Sequence, residues 1–159
     1  MNKVYLLLGS NIGDSKIKLQ EATKFIEEKI GGVQKASSFY TTAAWGDITQ
    51  NEFVNQVLLI HSKCKAQEIL FSIFEIEAAM GRVRTTKNAA REIDIDILFF
   101  NNEIINTKHL TIPHIEIQNR KFVLTPLNEI APSFIHPLLK KDVSTLLLNC
   151  KDVLNVQKI

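Results

Sequence analysis

Cysteine is scarce in this chain: Cys64 and Cys150 are the only two in 159 residues, with no CxxC spacing. That argues against a disulfide framework and fits a reduced, cytoplasmic setting. Six Gly and four Pro are too few for a collagenous or low-complexity chain. No apolar run approaches the roughly 18 residues of a membrane-spanning helix. The N-terminus passes from Met1-Asn2-Lys3 through a short apolar run into Gly9-Ser10-Asn11 and shows no cleavage signal for export, so no membrane partner is expected. Charge of one sign is lacking too. Nineteen Lys and Arg against 17 Asp and Glu leave a formal net charge of +2, too mild to argue for nucleic acid by electrostatics. Internal repeats and linkers are absent, so residues 1–159 are expected to form a single domain with one sizeable core.

What is present alternates between strand and helix patterns. Residues 4–8 form a continuous apolar run closed by Gly9, which suits a strand buried on both faces. After a turn over 9–14, Ala22, Phe25, Ile26 and Ile30 recur at helical spacing, and Gly31-Gly32 supplies the stop. Residues 33–42 and 53–61 read as strands, separated by a polar stretch longer than a tight turn. A second helix is predicted over 66–80, a polar loop over 82–90, and a strand over 93–100. The order β-α-β-β-α-β predicts an α+β, ferredoxin-like core, with helices on one face of an antiparallel sheet. The last third reads as an addition: a hairpin through Asn101-Asn102, a loop with Pro113, and short helical pieces over 120–130 and 143–148.

Several residues could carry chemistry. In Ile93-Asp94-Ile95-Asp96-Ile97 the two aspartates share one strand face, which should continue as Leu98 and Phe100. Neighbouring carboxylates repel, and an all-oxygen pair suits magnesium, which completes its shell with water and phosphate oxygens. The alternative is two ordinary aspartates at an exposed strand end. Arg82, Arg84 and Arg91 lie just upstream, and guanidinium groups suit phosphate oxygens, although surface salt bridges to the aspartates would use them equally. Glu77 falls on the helix face that should be buried, where a carboxylate needs a partner. Phe53 and Asn55 share a strand face, placing an aromatic plane beside an amide that could hold a flat heterocycle. Phe122 reads as core, and His114 is a possible phosphate donor or a solvated loop histidine. The segment from Gly9 to Lys16 does not match GxxxxGK[ST], because Asp14 stands where the second glycine belongs; Asp14 or Ser15 as a helix N-cap is the better account.

Together these segments carry a resemblance. Leu8-Gly9-Ser10-Asn11 with Gly13-Asp14, Ser37-Ser38-Phe39-Tyr40 with Thr42, Phe53-Val54-Asn55, Glu77 with Gly81-Arg82-Val83-Arg84, Arg91 with Ile93 to Leu98, and Leu110-Thr111-Ile112-Pro113-His114 through Asn119-Arg120 and Phe122 resemble the 6-hydroxymethyl-7,8-dihydropterin pyrophosphokinase family of folate biosynthesis, in its monofunctional form. The resemblance implies transfer of the β,γ-diphosphate of ATP to the hydroxymethyl oxygen of the dihydropterin, with release of AMP. It implies two magnesium ions held by Asp94 and Asp96, with Asp96 also orienting or deprotonating the hydroxyl. It gives Arg82 and Arg91 the charge on the transferred group. The pterin would lie between Phe53 and Phe122, read by Asn55, with Thr42, Ala43 and Trp45 completing the pocket. ATP would meet Glu77, Arg82, Arg84, Arg91, His114 and Arg120, with Ile97 and Leu98 as adenine walls. A cytoplasmic monomer acting on small molecules, without nucleic acid, is expected.

The chain departs from the family pattern at Lys87-Asn88-Ala89-Ala90, where relatives often carry a tryptophan and Gly-Pro, and at Glu92 and Ile115. The loop over 82–91 is expected to close as a lid on ATP. Two other readings stay open at this point: a ferredoxin-like nucleic-acid binder, and a noncatalytic pterin- or nucleotide-binding protein.

Overall fold

The computed structural model of the chain describes residues 1–42, 52–81 and 93–159. The N-terminal apolar run lies in β1 (Asn2–Ser10), flanked antiparallel by β4 (Phe53–Ser62) and β5 (Asp94–Phe100). Successive side chains of a strand point to opposite faces. Val4, Leu6 and Leu8 therefore enter one core, and Tyr5 and Leu7 the other, which is why no polar residue interrupts the run. On the first side α1 (Ser15–Lys29) buries Leu19, Ala22 and Ile26, and α2 (Ala66–Ala79) buries Ile69, Ile73 and Ile76. On the second, α3 (Lys121–Ile130) and α4 (Val143–Leu148) pack through Val123, Leu124, Leu127, Val143 and Leu146.

β2 (Gly32–Ala36) and β3 (Tyr40–Thr42) both pair with β4, and β8 (Val156–Lys158) adds to β3, giving the order β5-β1-β4-β3-β8. This is the ferredoxin-like α+β arrangement. Its second face is covered by the C-terminal third, which is therefore a structural layer of the core and more than an addition. Among the described residues no helix is long and apolar enough to cross a membrane.

Local chemistry explains where elements begin and end. Asp14 caps α1, its Oδ1 accepting the Ile17 N–H at 3.2 Å, so the segment that mimics a phosphate loop is a strand end, a turn and a cap. α1 closes against β4 at Gly31, where any Cβ would run into the carbonyl oxygen of His61. The Lys65 N–H at the start of α2 donates to Glu68 at 2.8 Å.

Three expectations are corrected. The strand predicted over 33–42 is two strands, because the pairing on β4 steps by one residue between Ala36↔Leu58 and Tyr40↔Asn55. Serine side chains stitch the bend: Ser37 Oγ accepts the Val57 N–H at 2.9 Å, and Gln56 Nε2 donates to the Ser37 carbonyl at 2.9 Å. The chain does turn at Asn101-Asn102, where the Glu103 N–H donates to the Phe100 carbonyl at 3.1 Å, but β5 gains no hairpin partner from it. Asn101 instead ties the end of β5 to β1, accepting the Lys3 N–H at 2.8 Å, and the hairpin forms between β6 (Ile105–Asn106) and β7 (Thr111–Ile112). Finally, β5 bulges: Ile97 pairs with Leu6 but Phe99 with Tyr5, leaving Leu98 extra. The aspartate face therefore continues into Leu98 and Phe99, while Phe100 crosses to the α1/α2 core.

Candidate active site

Strand register gathers the candidate residues at one end of the sheet, on the face covered by α3. Directly opposed residues share a face. One row holds Asp96, Leu7 and Val57; the next holds Asp94, Gly9, Asn55 and Tyr40; the third pairs Phe53 with Thr42. Neighbouring strands lie ~4.8 Å apart, so Asp94 and Asn55 stand about 10 Å apart across a residue with no side chain.

Asn55 is buried, and its Nδ2 donates to the Leu8 carbonyl at 3.2 Å, which lays the carboxamide against Gly9. A Cβ on Gly9 would come within 2.6 Å of that nitrogen. Among the described residues, buried Asn55 Oδ1 and Thr42 Oγ1 have no hydrogen-bond partner. Leaving such atoms unpaired costs about 1–3 kcal/mol each, so they mark where a ligand's polar edge would be taken up.

Asp94 and Asp96 are half-buried on β5. Glu77 is only 2% exposed, as its helical position predicts, and it accepts the N–H of Ile95 at 2.9 Å. It thus braces from α2 the peptide between the two aspartates without joining their face. The donor set fits magnesium, which commonly takes one or two carboxylates and leaves the rest of its shell to water and phosphate. Among the described residues no group of three His, Cys, Asp or Glu comes together.

The bulge brings in the histidine. The carbonyl of Leu98 accepts the His114 N–H at 3.1 Å. His114 Nδ1 accepts the Glu116 N–H at 3.1 Å, so the neutral ring carries its proton on Nε2. Burial, then the charge of Arg120, hold the imidazole below its ordinary pKa, while the charges of Glu116 and Asp94 pull the other way. Arg120 Nε lies 3.7 Å from Glu116, and its guanidinium sits 5.8 Å from the centre of the Phe122 ring. Histidine, arginine and carboxylate are therefore close enough to sense one another beside Phe122, in the first turn of α3.

A family profile for 7,8-dihydro-6-hydroxymethylpterin-pyrophosphokinase (HPPK) matches residues 5–132. The chain belongs to this family. It is 41% identical over 141 residues to the 2-amino-4-hydroxy-6-hydroxymethyldihydropteridine pyrophosphokinase of Aquifex aeolicus, covering 89% of this chain and 88% of that one. A Haemophilus influenzae protein of the same name is 37% identical over 138 residues, covering 86% of each. The Dictyostelium discoideum folic acid synthesis protein FOL1 is 38% identical over 158 residues, and this chain spans 24% of its length. Among solved structures, Plasmodium falciparum HPPK-DHPS superposes with a TM-score of 0.77 at 18% identity, over 93% of this chain and 43% of that one, a likeness of fold. Every candidate residue of the HPPK reading lies inside the matched segment.

Not all of them converge. Ile97 and Leu98, 5% and 1% exposed, point into opposite cores and so cannot wall one adenine site with their side chains. Ile115 is exposed to solvent. Ala43, Trp45, Arg82, Arg84 and Arg91, with the expected lid over 82–91, lie outside the described residues. Residue-by-residue reading gave no site role to Gly9, Tyr40 or Glu129. The one available signal for Gly9 was a glycine ending an apolar strand, which also marks any turn. The partnership of Tyr40 and Glu129 spans 89 residues and leaves no local pattern.

Proposed function

We propose that the chain transfers the diphosphate of ATP to the hydroxymethyl oxygen of 6-hydroxymethyl-7,8-dihydropterin, giving the pterin diphosphate and AMP, in folate biosynthesis. The observation that carries the reading is the row Asp94, Gly9, Asn55: a carboxylate and a buried amide whose oxygen is unpaired among the described residues face each other over a floor without a side chain, in a chain of the HPPK family.

In this reading Asn55 Oδ1 accepts from the amide edge of the pterin, and Thr42 supplies a second polar contact. Phe53 and Phe122 cover the two faces of the heterocycle, and Ala43 and Trp45 close the pocket. Asp94 and Asp96 hold magnesium, two ions in all with the triphosphate. When bound, magnesium screens the triphosphate's charge and polarises its phosphoryl oxygens. Asp96 orients the acceptor hydroxyl and takes its proton as that oxygen bonds to the β-phosphorus; the bond from the β-phosphorus to the oxygen bridging it to the α-phosphorus breaks, and AMP leaves with that oxygen. His114, held neutral, offers an Nε2 proton to a phosphate oxygen. Arg82 and Arg91 would take the charge on the transferred group, with Arg84 and Arg120 on ATP. Glu77 contributes by holding β5 in place. The whole of residues 1–159 acts as one domain and a cytoplasmic monomer, on small molecules and not on nucleic acid, whose phosphates the paired aspartates would repel.

The test is direct: the protein is mixed with ATP, magnesium and the hydroxymethyldihydropterin, and the nucleotide product is identified. AMP supports the reading. ADP would indicate an ordinary kinase, and the absence of any product would favour a binding protein.

A further inference from the structure

We infer that Glu129 is a positioning residue for the acceptor: it fastens the helix that carries Phe122 to the strand beside Asn55, and so sets the gap that receives the pterin. The inference rests on the function proposed above and adds a residue outside the row that recognises the ligand.

Glu129 gathers four donor contacts from one segment. Its Oε1 accepts the Tyr40 hydroxyl at 2.6 Å, its Oε2 accepts the Ser38 hydroxyl at 3.0 Å, and the Ser38 N–H reaches Oε1 and Oε2 at 3.1 and 3.0 Å. Burial opposes its charge, but these bonds and the nearby Lys158 leave its carboxyl below the ordinary range, while burial and Glu129 push Tyr40 up to about 12. Both groups therefore keep the protonation states that this bond needs at neutral pH.

Helix stability does not explain a carboxylate there. Glu129 stands in the last turn of α3, where the helix dipole disfavours negative charge by about 0.3–1 kcal/mol. Its partners do explain it. Tyr40 is buried directly across from Asn55, and Ser38 forms the bend that leads into β3. Phe122 lies seven residues before Glu129, two turns away on the same side of α3 and about 10.5 Å along its axis. Pro126, between them, has no N–H to bond the Phe122 carbonyl, so the first turn depends on how the rest of the helix is anchored. Val123, Leu124 and Leu127 fix the depth of α3 by apolar packing, which is non-directional. The hydrogen bonds of Glu129 supply the direction. They connect the wall holding Asn55 and Phe53 to the wall holding Phe122.

The experiment uses Tyr40→Phe, which removes one oxygen, Glu129→Gln, which keeps the shape and removes the charge, and the double variant. Pterin Kd is read from pterin fluorescence, alongside KM for both substrates and Tm. Each single variant should weaken pterin binding about tenfold or more, as expected for a charge-assisted bond, with the ATP KM changed less than about twofold. The double variant should be no weaker than the worse single one, because both break the same link. Equal loss for both substrates, additive losses, or a lowered Tm with pterin Kd unchanged would overturn the inference. Wild-type protein that binds pterin but releases no AMP would overturn the enzymatic reading and leave this inference to the Kd values. Wild-type protein that binds no pterin would overturn both.

Discussion

Gly9→Ala separates a glycine needed for recognition from one needed for folding. The new Cβ would stand 2.6 Å from Asn55 Nδ2, 3.8 Å from its Cγ and 3.9 Å from the Val54 carbonyl oxygen, so the only severe contact is with the end of a side chain. Asn55 can relieve it by rotating away, which breaks its bond to the Leu8 carbonyl. Because Asn55 is buried, breaking that bond leaves polar groups short of a partner, at about 1–3 kcal/mol. Against that, replacing a strand glycine with alanine recovers roughly 0.5–1 kcal/mol of backbone entropy. The net loss is at most about 2.5 kcal/mol, and Tm should fall by no more than about 10 °C. Recognition has no such offset. With the amide turned from its place, the pterin loses its partner at Asn55 and leaves polar atoms unpaired, about 1–3 kcal/mol, or roughly five- to 150-fold in Kd. Titrations with pterin and with an unreactive ATP analogue should show the first weakened by that factor and the second little changed. In an Asn55→Ala background the Gly9→Ala effect on pterin should largely vanish. Unchanged pterin affinity, or a full Gly9→Ala effect without Asn55, would refute the reasoning.

Gly31→Ala should do the opposite, because its Cβ would meet the His61 backbone, which cannot rotate aside; urea unfolding should report a loss of about 1–3 kcal/mol, with pterin Kd unchanged in the folded fraction. Burial holds His136 below its ordinary pKa, and its Nδ1 accepts the Leu138 and Leu139 N–H groups at 3.2 and 3.1 Å. Protonation therefore favours the unfolded chain: the contribution of His136 is full above about pH 6.5 and is lost as pH falls through the lower folded value. Tm should drop between pH 7.5 and 5.5, and His136→Asn should flatten the slope only in part, since His114 is shifted in the same direction; a flat wild-type profile would contradict this. Asp94→Ala and Asp96→Ala should each lower turnover by orders of magnitude at saturating magnesium; near-wild-type AMP release from either would remove it from the metal site.

The α+β order was legible because both cores write themselves into β1, and helical spacing and glycine stops mark α1 and α2. The shared faces of Asp94 with Asp96 and of Phe53 with Asn55 followed from a period of two, and the structure keeps both. The failures came where one residue is inserted. The extra residue at Leu98 keeps Phe99 on the aspartate face and returns Phe100 to the other core, while Ile97 and Leu98 part by ordinary strand alternation. The bend at Ser37 and Ser38 divides a strand that β-propensity reads as continuous. Bulges are settled by what packs on the strand from elsewhere in the chain: at Leu98 it is the loop after Pro113, whose His114 N–H takes the displaced carbonyl. The second helical layer was underread for a similar reason, since α3 contains Pro126 and α4 is six residues long.

The polar end of the sheet that would recognise the ligand also weakens the free fold. Gly9 gives up a side chain at the centre of a sheet, and Asn55 Oδ1 and Thr42 Oγ1 are buried without partners among the described residues, at about 1–3 kcal/mol each. Those losses are a sizeable fraction of the roughly 5–15 kcal/mol by which a domain is stable. They are tolerated because the sheet is packed between two apolar cores, with Leu6, Leu8, Leu58 and Phe99 at 0% exposure. A flat ligand with a polar edge can recover that penalty when it binds. In the proposed function those two oxygens would serve the acceptor, and His114 and Arg120 the donor. In that reading the paired aspartates of β5 would stand between the two, where the acceptor oxygen and the β-phosphorus meet.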